Sequence, residues 1–247
     1  MSSSTASRLG VPAELLQDLA DANRILAHQG IVDAFGHVSL RHPERHDRFL
    51  LARNMAPALV TPDDLIEFDL DGNACHGDDR RVYLERFIHA EIFRARPDVN
   101  SVVHSHSPTV VPFSVVPSTR LRPVCHMCGF LRDGPPIFEI REEFGDATNL
   151  LISNREQGAS LARKLGEHPA VLMRGHGSTV VAPTLKLAVY RAVYTEVNAQ
   201  LLSTALPLGD VVYLTDEECL ATMGVHDSQI DRPWGLWKKA AAEAAQA

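Results

Sequence analysis

At 247 residues, 45% hydrophobic and 22% charged, the chain is long enough to bury a well-developed core and has the make-up of an ordinary soluble globular protein. Its net charge of −7 gives no reason to expect nucleic acid or an anionic membrane as a partner, and no apolar run is long enough to span a bilayer. The opening Met1-Ser2-Ser3-Ser4-Thr5-Ala6-Ser7 lacks the charged start and apolar middle of a secretory signal. Residues 1–10 are therefore read as a short disordered lead, residues 11–247 as one domain with a helical C-terminal tail, and the compartment as cytoplasmic.

Residues 11–29 carry apolar side chains at helical spacing (Leu15, Leu16, Leu19, Ala22, Ile25), with Gly30 as the stop. Short strands are expected at 37–41 and 49–53. Thr61-Pro62-Asp63-Asp64 reads as a turn, 65–70 as a strand and Asp71-Gly72 as a hairpin turn. A helix over 82–95 follows, capped by Asp78 or Asp79 and stopped by Pro97. Residues 99–106 form the next strand. Pro112, Pro117, Pro123, Pro135 and Pro136 punctuate a loop-rich middle, with a strand near 137–140. Helices are expected at 146–153 and 156–165, strands at 170–173 and 178–181, and a long helix over 185–206 ended by Pro207. A strand at 211–214, a helix at 216–223 and a helix-prone, alanine-rich 238–247 complete the pattern. No repeat or linker interrupts it, and hairpin-like turns join several strands. One α/β domain with a mixed or mainly antiparallel sheet is the expectation.

The stretch Val102-Val103-His104-Ser105-His106-Ser107-Pro108 is the most informative in the chain. Side chains at i and i+2 of a strand share a face, so His104 and His106 present two imidazoles side by side, a spacing that suits chelation of one transition metal. The best third ligand is His176 in Met173-Arg174-Gly175-His176-Gly177, where glycines on both sides permit close backbone approach. Glu85 is the fourth candidate. It lies i, i+4 from His89 among Leu84, Phe87, Ile88 and Ile92, so it is not wholly in water, and near a metal it serves as ligand or proton carrier. A lone histidine is more often a surface or hydrogen-bonded core residue than a ligand, which is the reading for His28, His42, His46, His76, His168 and His226. His89 reads as support for the site rather than a direct ligand. Cys75, Cys125, Cys128 and Cys219 make no disulfide framework in a chain this long. Cys125-His126-Met127-Cys128 matches C-x-x-C, but it has no second cysteine pair and sits in the proline-rich loop, so it reads as coincidence and the thiols as reduced.

Taken in order, Phe35-Gly36-His37-Val38-Ser39-Leu40-Arg41, Glu85-Arg86-Phe87-Ile88-His89, Arg96-Pro97-Asp98-Val99-Asn100-Ser101-Val102-Val103-His104-Ser105-His106 and Arg174-Gly175-His176-Gly177 resemble the class II aldolase/adducin family over roughly residues 12–215. The resemblance implies a three-layer α/β/α sandwich with a central, mostly antiparallel sheet, commonly a cyclic homotetramer with sites near subunit interfaces. It also implies a divalent metal on His104, His106 and His176, with Glu85 as acid/base or exchangeable ligand. Sugar-phosphate aldolases of the family hold phosphate with a Gly-Asn pair, a T-x-S-G turn and two serines before the glutamate. Here His37 stands in place of Asn, Tyr83 and Leu84 in place of the serines, and Asp63 and Asp64 put carboxylates in the turn, where they repel phosphate.

What remains is closer to the decarboxylase branch of the family, which acts on hydroxylated aromatic dicarboxylates of the dihydroxyphthalate or hydroxypyridine-dicarboxylate type. Pro123-Val124-Cys125-His126-Met127 adds to this likeness. The resemblance then implies a metal-dependent carboxy-lyase with a small aromatic carboxylate as substrate and Glu85 as proton carrier. Arg174, Arg53 or His126 would face a retained carboxylate, with His126 reaching a neighbouring subunit's site. Tyr213 or Tyr194 would donate a proton or touch substrate, although core packing suits Tyr194 better and a strand-end salt bridge suits Arg174 equally. Three histidines suit zinc, iron, cobalt or manganese; the decarboxylase likeness favours manganese, then zinc. The alternatives are an aldolase acting on an unphosphorylated aldol and a non-catalytic adducin-like interaction module, the latter disfavoured because all four candidate ligands are present.

Overall fold

The computed structural model describes residues 5–245. Its frame is a seven-stranded sheet of β1 (His37–Arg41), β2 (Arg48–Ala52), β3 (Leu65–Asp69), β4 (Ser101–Ser105), β5 (Ile137–Phe138), β6 (Ala170–Met173) and β7 (Gly177–Ala182), in the order β3-β2-β1-β4-β7-β6-β5. Every pairing is antiparallel except β5 with β6. The β1, β4, β6 and β7 strands are buried at every position, as strands covered on both faces must be. The helices are α1 (Thr5–Leu9), α2 (Ala13–His28), α3 (Arg86–Ala95), α4 (Val111–Val115), α5 (Arg141–Phe144), α6 (Arg155–Leu165), α7 (Leu185–Ala205), α8 (Asp216–Asp227) and α9 (Asp231–Ala244). α3 packs on α6 and covers the sheet face that carries His37 and Ser39, while α7 runs along β4 and β7 and packs with α2 and α9. The result is the mixed α/β sandwich with flanking helices that the resemblance implies. Among the described residues no helix is long and apolar enough to cross a membrane.

Several expected elements differ. Thr5–Leu9, inside the lead expected to be disordered, is a helix with Leu9 buried and Arg8 paired to Asp78 at 3.0 Å; residues 1–4 lie outside the described residues. The helix expected over 82–95 begins at Arg86, with Glu85 as its N-cap residue. The segment before it is held extended by Asn54 N donating to Arg81 O (2.7 Å) and Tyr83 Oη donating to Met55 O (2.5 Å). Asp78 therefore caps nothing there and instead accepts from Arg8 and Arg80. Residues 146–153 are not helical: Thr148 Oγ1 and Asn149 Oδ1 accept from the backbone N–H two residues on, an arrangement that competes with helix formation. Residues 211–214 find no strand partner, and Leu214 N instead donates to Pro123 O at 3.1 Å. The last helix begins at Asp231 rather than 238, and residues 246–247 lie outside the described residues.

Candidate metal centre

The centre is assembled at one end of the central strands. His104 on β4 is fully buried and pairs in register with His37 on β1. β4 ends at Ser105, and His106 follows at once. The turn from β6 to β7 carries His176, whose N–H donates to Met173 O at 3.0 Å, with Gly175 at φ +65°. Gly177 starts β7 hard against β4: a Cβ there would stand 2.1 Å from Ser105 O. Glycine at 177 is thus what lets His176 reach His106.

The three Nε2 atoms converge. His104 and His106 are 3.1 Å apart at Nε2, and His106 and His176 are 3.0 Å apart. Glu85, entering from the start of α3, puts Oε2 3.6 Å from His104 Nε2 and 3.5 Å from His176 Nε2. The ligand atoms of all four residues lie within 4.8 Å of one another. Their outer contacts orient them. His176 Nδ1 donates to Leu150 O (3.0 Å), and His104 Nδ1 faces Thr179 Oγ1 (3.3 Å), whose own hydrogen points to Met173 Sδ. With Nδ1 protonated, Nε2 of each ring is a bare lone pair. Glu85 Oε1 accepts from Ile152 N at 3.0 Å, which leaves Oε2 directed at the imidazoles. Two of three crowded lone pairs are thus fixed toward a carboxylate, a donor set that repels itself unless a cation sits among them. The residues therefore fit a divalent metal.

Electrostatics agree. Burial pushes the Glu85 carboxyl up, but His104 and His176 rings protonated on Nε2 outweigh this and hold it well below the usual carboxylate range; a metal ion would supply the positive charge in place of those protons. Burial first, then His104 and His176, lowers His106 to about 4, so its ring is neutral at pH 7. Behind His104 lies a second group: His89 Nε2 is 2.6 Å from His37 Nδ1, and His89 Nδ1 is 2.6 Å from Ser39 Oγ. Burial, with His104 second, lowers His89 to about 3; burial, then His89 and His104, takes His37 well below its ordinary value.

The model of the Class II Aldolase and Adducin N-terminal domain matches residues 17–203. The chain belongs to the class II aldolase/adducin family. It is 36% identical to Decarboxylase tropJ of Talaromyces stipitatus, covering 93% of this chain and 95% of that one. It is 33% identical to a 3,4-dihydroxyphthalate decarboxylase of Arthrobacter keyseri, covering 74% and 75%. The solved L-fuculose 1-phosphate aldolase of Glaciozyma antarctica superposes with a TM-score of 0.74 at 24% identity, covering 99% and 93%, and so shares the fold. Relatives within the class II aldolase/adducin family thus include decarboxylases and aldolases, both lyases.

Other candidate residues stand apart from the quartet. Arg174 Nε is 2.6 Å from Glu139 Oε2; the Arg141 guanidinium, with Arg174 after it, holds Glu139 down to about 2. Arg53 Nε is 2.7 Å from Asp64 Oδ1, and Asp64 also caps its own turn by accepting from Thr61 N and Oγ1. Of the two carboxylates expected to repel phosphate there, Asp64 is thus paired with a cation, while Asp63 accepts from the neutral Thr5 hydroxyl at 2.6 Å. His126 and Tyr213 share a cavity of about 390 Å³ with Glu218 and Thr222; His126 also packs on His226 with centroids 5.1 Å apart, and Arg122 covers the Tyr213 ring at 4.5 Å. Tyr194 packs between Tyr190 and Trp237. The four cysteines are free. What the sequence reading missed are Leu150 O and Ile152 N, presented by a loop in which Leu150 has φ +67°, and Ser39 and His37 as the hydrogen-bond partners of His89. No spacing rule flags a backbone carbonyl or amide. The period-two pattern of Gly36-His37-Val38-Ser39 was the available signal for the second group.

Proposed function

We propose that this protein is a divalent-metal-dependent decarboxylase of a hydroxylated aromatic dicarboxylate of the dihydroxyphthalate or hydroxypyridine-dicarboxylate type. The observation that carries the reading is the convergence of three imidazole lone pairs and Glu85 beside His37 and Tyr83, residues that replace the phosphate-holding Asn and Ser of the sugar-phosphate aldolases. The two decarboxylase relatives support it.

His104, His106 and His176 would hold the metal, with Glu85 as a fourth, exchangeable ligand. A bound metal supplies Lewis acidity that stabilises negative charge on a substrate oxygen; manganese is the first expectation and zinc the second. Glu85 Oε2 does the proton work. It is ionised before substrate arrives, so it takes the proton of the substrate hydroxyl and returns it to the ring carbon that bears the departing carboxylate. Carbon dioxide then leaves, aromaticity is restored, and the phenolate regains one proton from solvent. Ile152 N fixes Oε1, so only Oε2 swings through this path. Arg53 and Arg174 already hold Asp64 and Glu139 and can offer a second carboxylate only their remaining donors. His126 is exposed, and with Tyr213 it lines a cavity that none of the quartet lines, as residues directed at a neighbouring subunit's site would. A homotetramer completes the proposal.

The test is release of carbon dioxide from a panel of dihydroxyphthalate-type acids by protein loaded with manganese or zinc. Aldehyde formed from an unphosphorylated aldol, with no carbon dioxide from the panel, would replace this reading with the aldolase one.

A further inference from the structure

Next to the quartet lies a hydrogen-bonded row that the reaction above leaves without a role. Ser39 Oγ, His89 and His37 are joined by two contacts of 2.6 Å. Ser39 and His89 are fully buried, and His37 nearly so. Ser39 decides the direction of the row. Among the described residues its hydroxyl has no partner but His89. Were His89 to donate from Nδ1, the Ser39 hydrogen would be left without an acceptor where water does not reach, a state disfavoured by a factor of roughly ten or more. Ser39 O–H therefore donates to His89 Nδ1, and His89 Nε2–H donates to His37 Nδ1. Neutral His37 then carries its hydrogen on Nε2, an atom with no partner among the described residues. The ring is fixed by Tyr83 and His104, with centroids 4.7 and 5.1 Å away, and its backbone pairs with that of His104. Gly36 permits this approach: a Cβ there would meet Val32 Cγ1 at 2.5 Å and His104 O at 3.0 Å.

We propose that His37 touches the substrate, its Nε2–H acting as a fixed, uncharged hydrogen-bond donor to an anionic oxygen of an aromatic carboxylate bound beside His104, and that Ser39 and His89 are positioning residues that set its tautomer. The proposal rests on the aromatic-carboxylate reading given above. An oriented neutral donor stabilises charge that develops on oxygen without placing a second cation beside the metal.

Two measurements test it. The first needs no substrate: in zinc-loaded protein carrying ¹⁵N-histidine, two-bond ¹H–¹⁵N correlations should show His37 as the Nε2–H tautomer and, in S39A, a mixture of tautomers. An Nδ1–H tautomer for His37 in the unsubstituted protein overturns the proposal. The second is His37→Phe, which keeps a ring and removes the donor. Phthalate should bind zinc-loaded H37F at least tenfold more weakly, and kcat for carbon dioxide release should fall a hundredfold or more at unchanged metal content, with partial recovery in H37Q. S39A should lower kcat about tenfold with KM unchanged. H37F that binds phthalate and releases carbon dioxide as the unsubstituted protein does, or that loses its metal, overturns the proposal. If the unsubstituted protein releases no carbon dioxide from any acid of the panel, the proposed reaction fails, while the tautomer and phthalate measurements still decide the role of His37.

Discussion

At the scale of single residues, the centre depends on which atom of each side chain is free. Nδ1 of His104 and of His176 is occupied by Thr179 and Leu150, and Oε1 of Glu85 by Ile152, so the remaining atoms face one another. H104A or H176A should therefore lose metal affinity by more than about a hundredfold, read as metal stoichiometry after dialysis against a weak chelator. E85Q should separate binding from chemistry. Three imidazoles still hold a metal, but the amide cannot carry a proton, so carbon dioxide release should fall about 10²- to 10⁴-fold with metal retained. An E85Q protein that keeps full turnover would remove Glu85 from the proton path. The His104-Ser105-His106 spacing and the glycines around His176 were readable as a metal site because strand periodicity and turn chemistry are local. The Leu150 carbonyl and Ile152 amide were not, because every residue carries those groups and only the path of the chain selects two of them.

At the scale of elements, two junctions hold the site in place. β7 starts against the end of β4 with no room for a side chain at Gly177. G177A should cost about 3 kcal/mol in denaturant unfolding through overpacking, and should lower metal content by separating His106 from His176. The second junction ties α1 to the segment before α3, where the Asp78 side chain is 4% exposed and Oδ2 lies 3.0 Å from Arg8 and 2.6 Å from Arg80. The Arg80 hydrogen bond, against the cost of burial and with help from Arg8, lowers the Asp78 pKa below its ordinary value. A depressed carboxylate stabilises the fold fully above its unfolded pKa and loses that contribution as pH falls through the folded one. D78N should thus be less stable than the unsubstituted protein by about 1–3 kcal/mol near neutral pH. The gap should close as pH falls below about 4. A gap that does not narrow in acid would show that packing, not charge, holds this junction. The helix expected over 82–95 failed at its start for a reason visible only in three dimensions: the Tyr83 hydroxyl is claimed by Met55, 28 residues back, which pulls the chain out of helix and sets Glu85 at its end.

At the scale of the whole molecule, the question is where His126 and Tyr213 act. Within one chain they share a cavity between the 3₁₀ turn His126–Leu131, the loop at 212–214 and α8, apart from the quartet. If the proposed tetramer brings them to a neighbour's metal, E85Q and H126A protomers, each inactive alone, should recover part of the activity when co-assembled, measured as carbon dioxide release against the fraction of mixed tetramers seen by native mass spectrometry. Mixed tetramers without recovery would leave each site within a single subunit. Legible from the sequence alone were the α/β class, most strands, the long helices, the family and, as candidate ligands, three histidines with a glutamate, because hydrophobic period, turn residues and motif spacing are written within a few neighbouring positions. Not legible there were the placing of Leu150 O on His176 and Ile152 N on Glu85, the pairing of Arg174 and Arg53 with Glu139 and Asp64, and the row of Ser39, His89 and His37 behind His104. Each of these rests on contacts between residues 11 to 67 positions apart or on strand register, and such contacts are settled by how the packed elements compete for the same hydrogen-bonding groups, which no local pattern records.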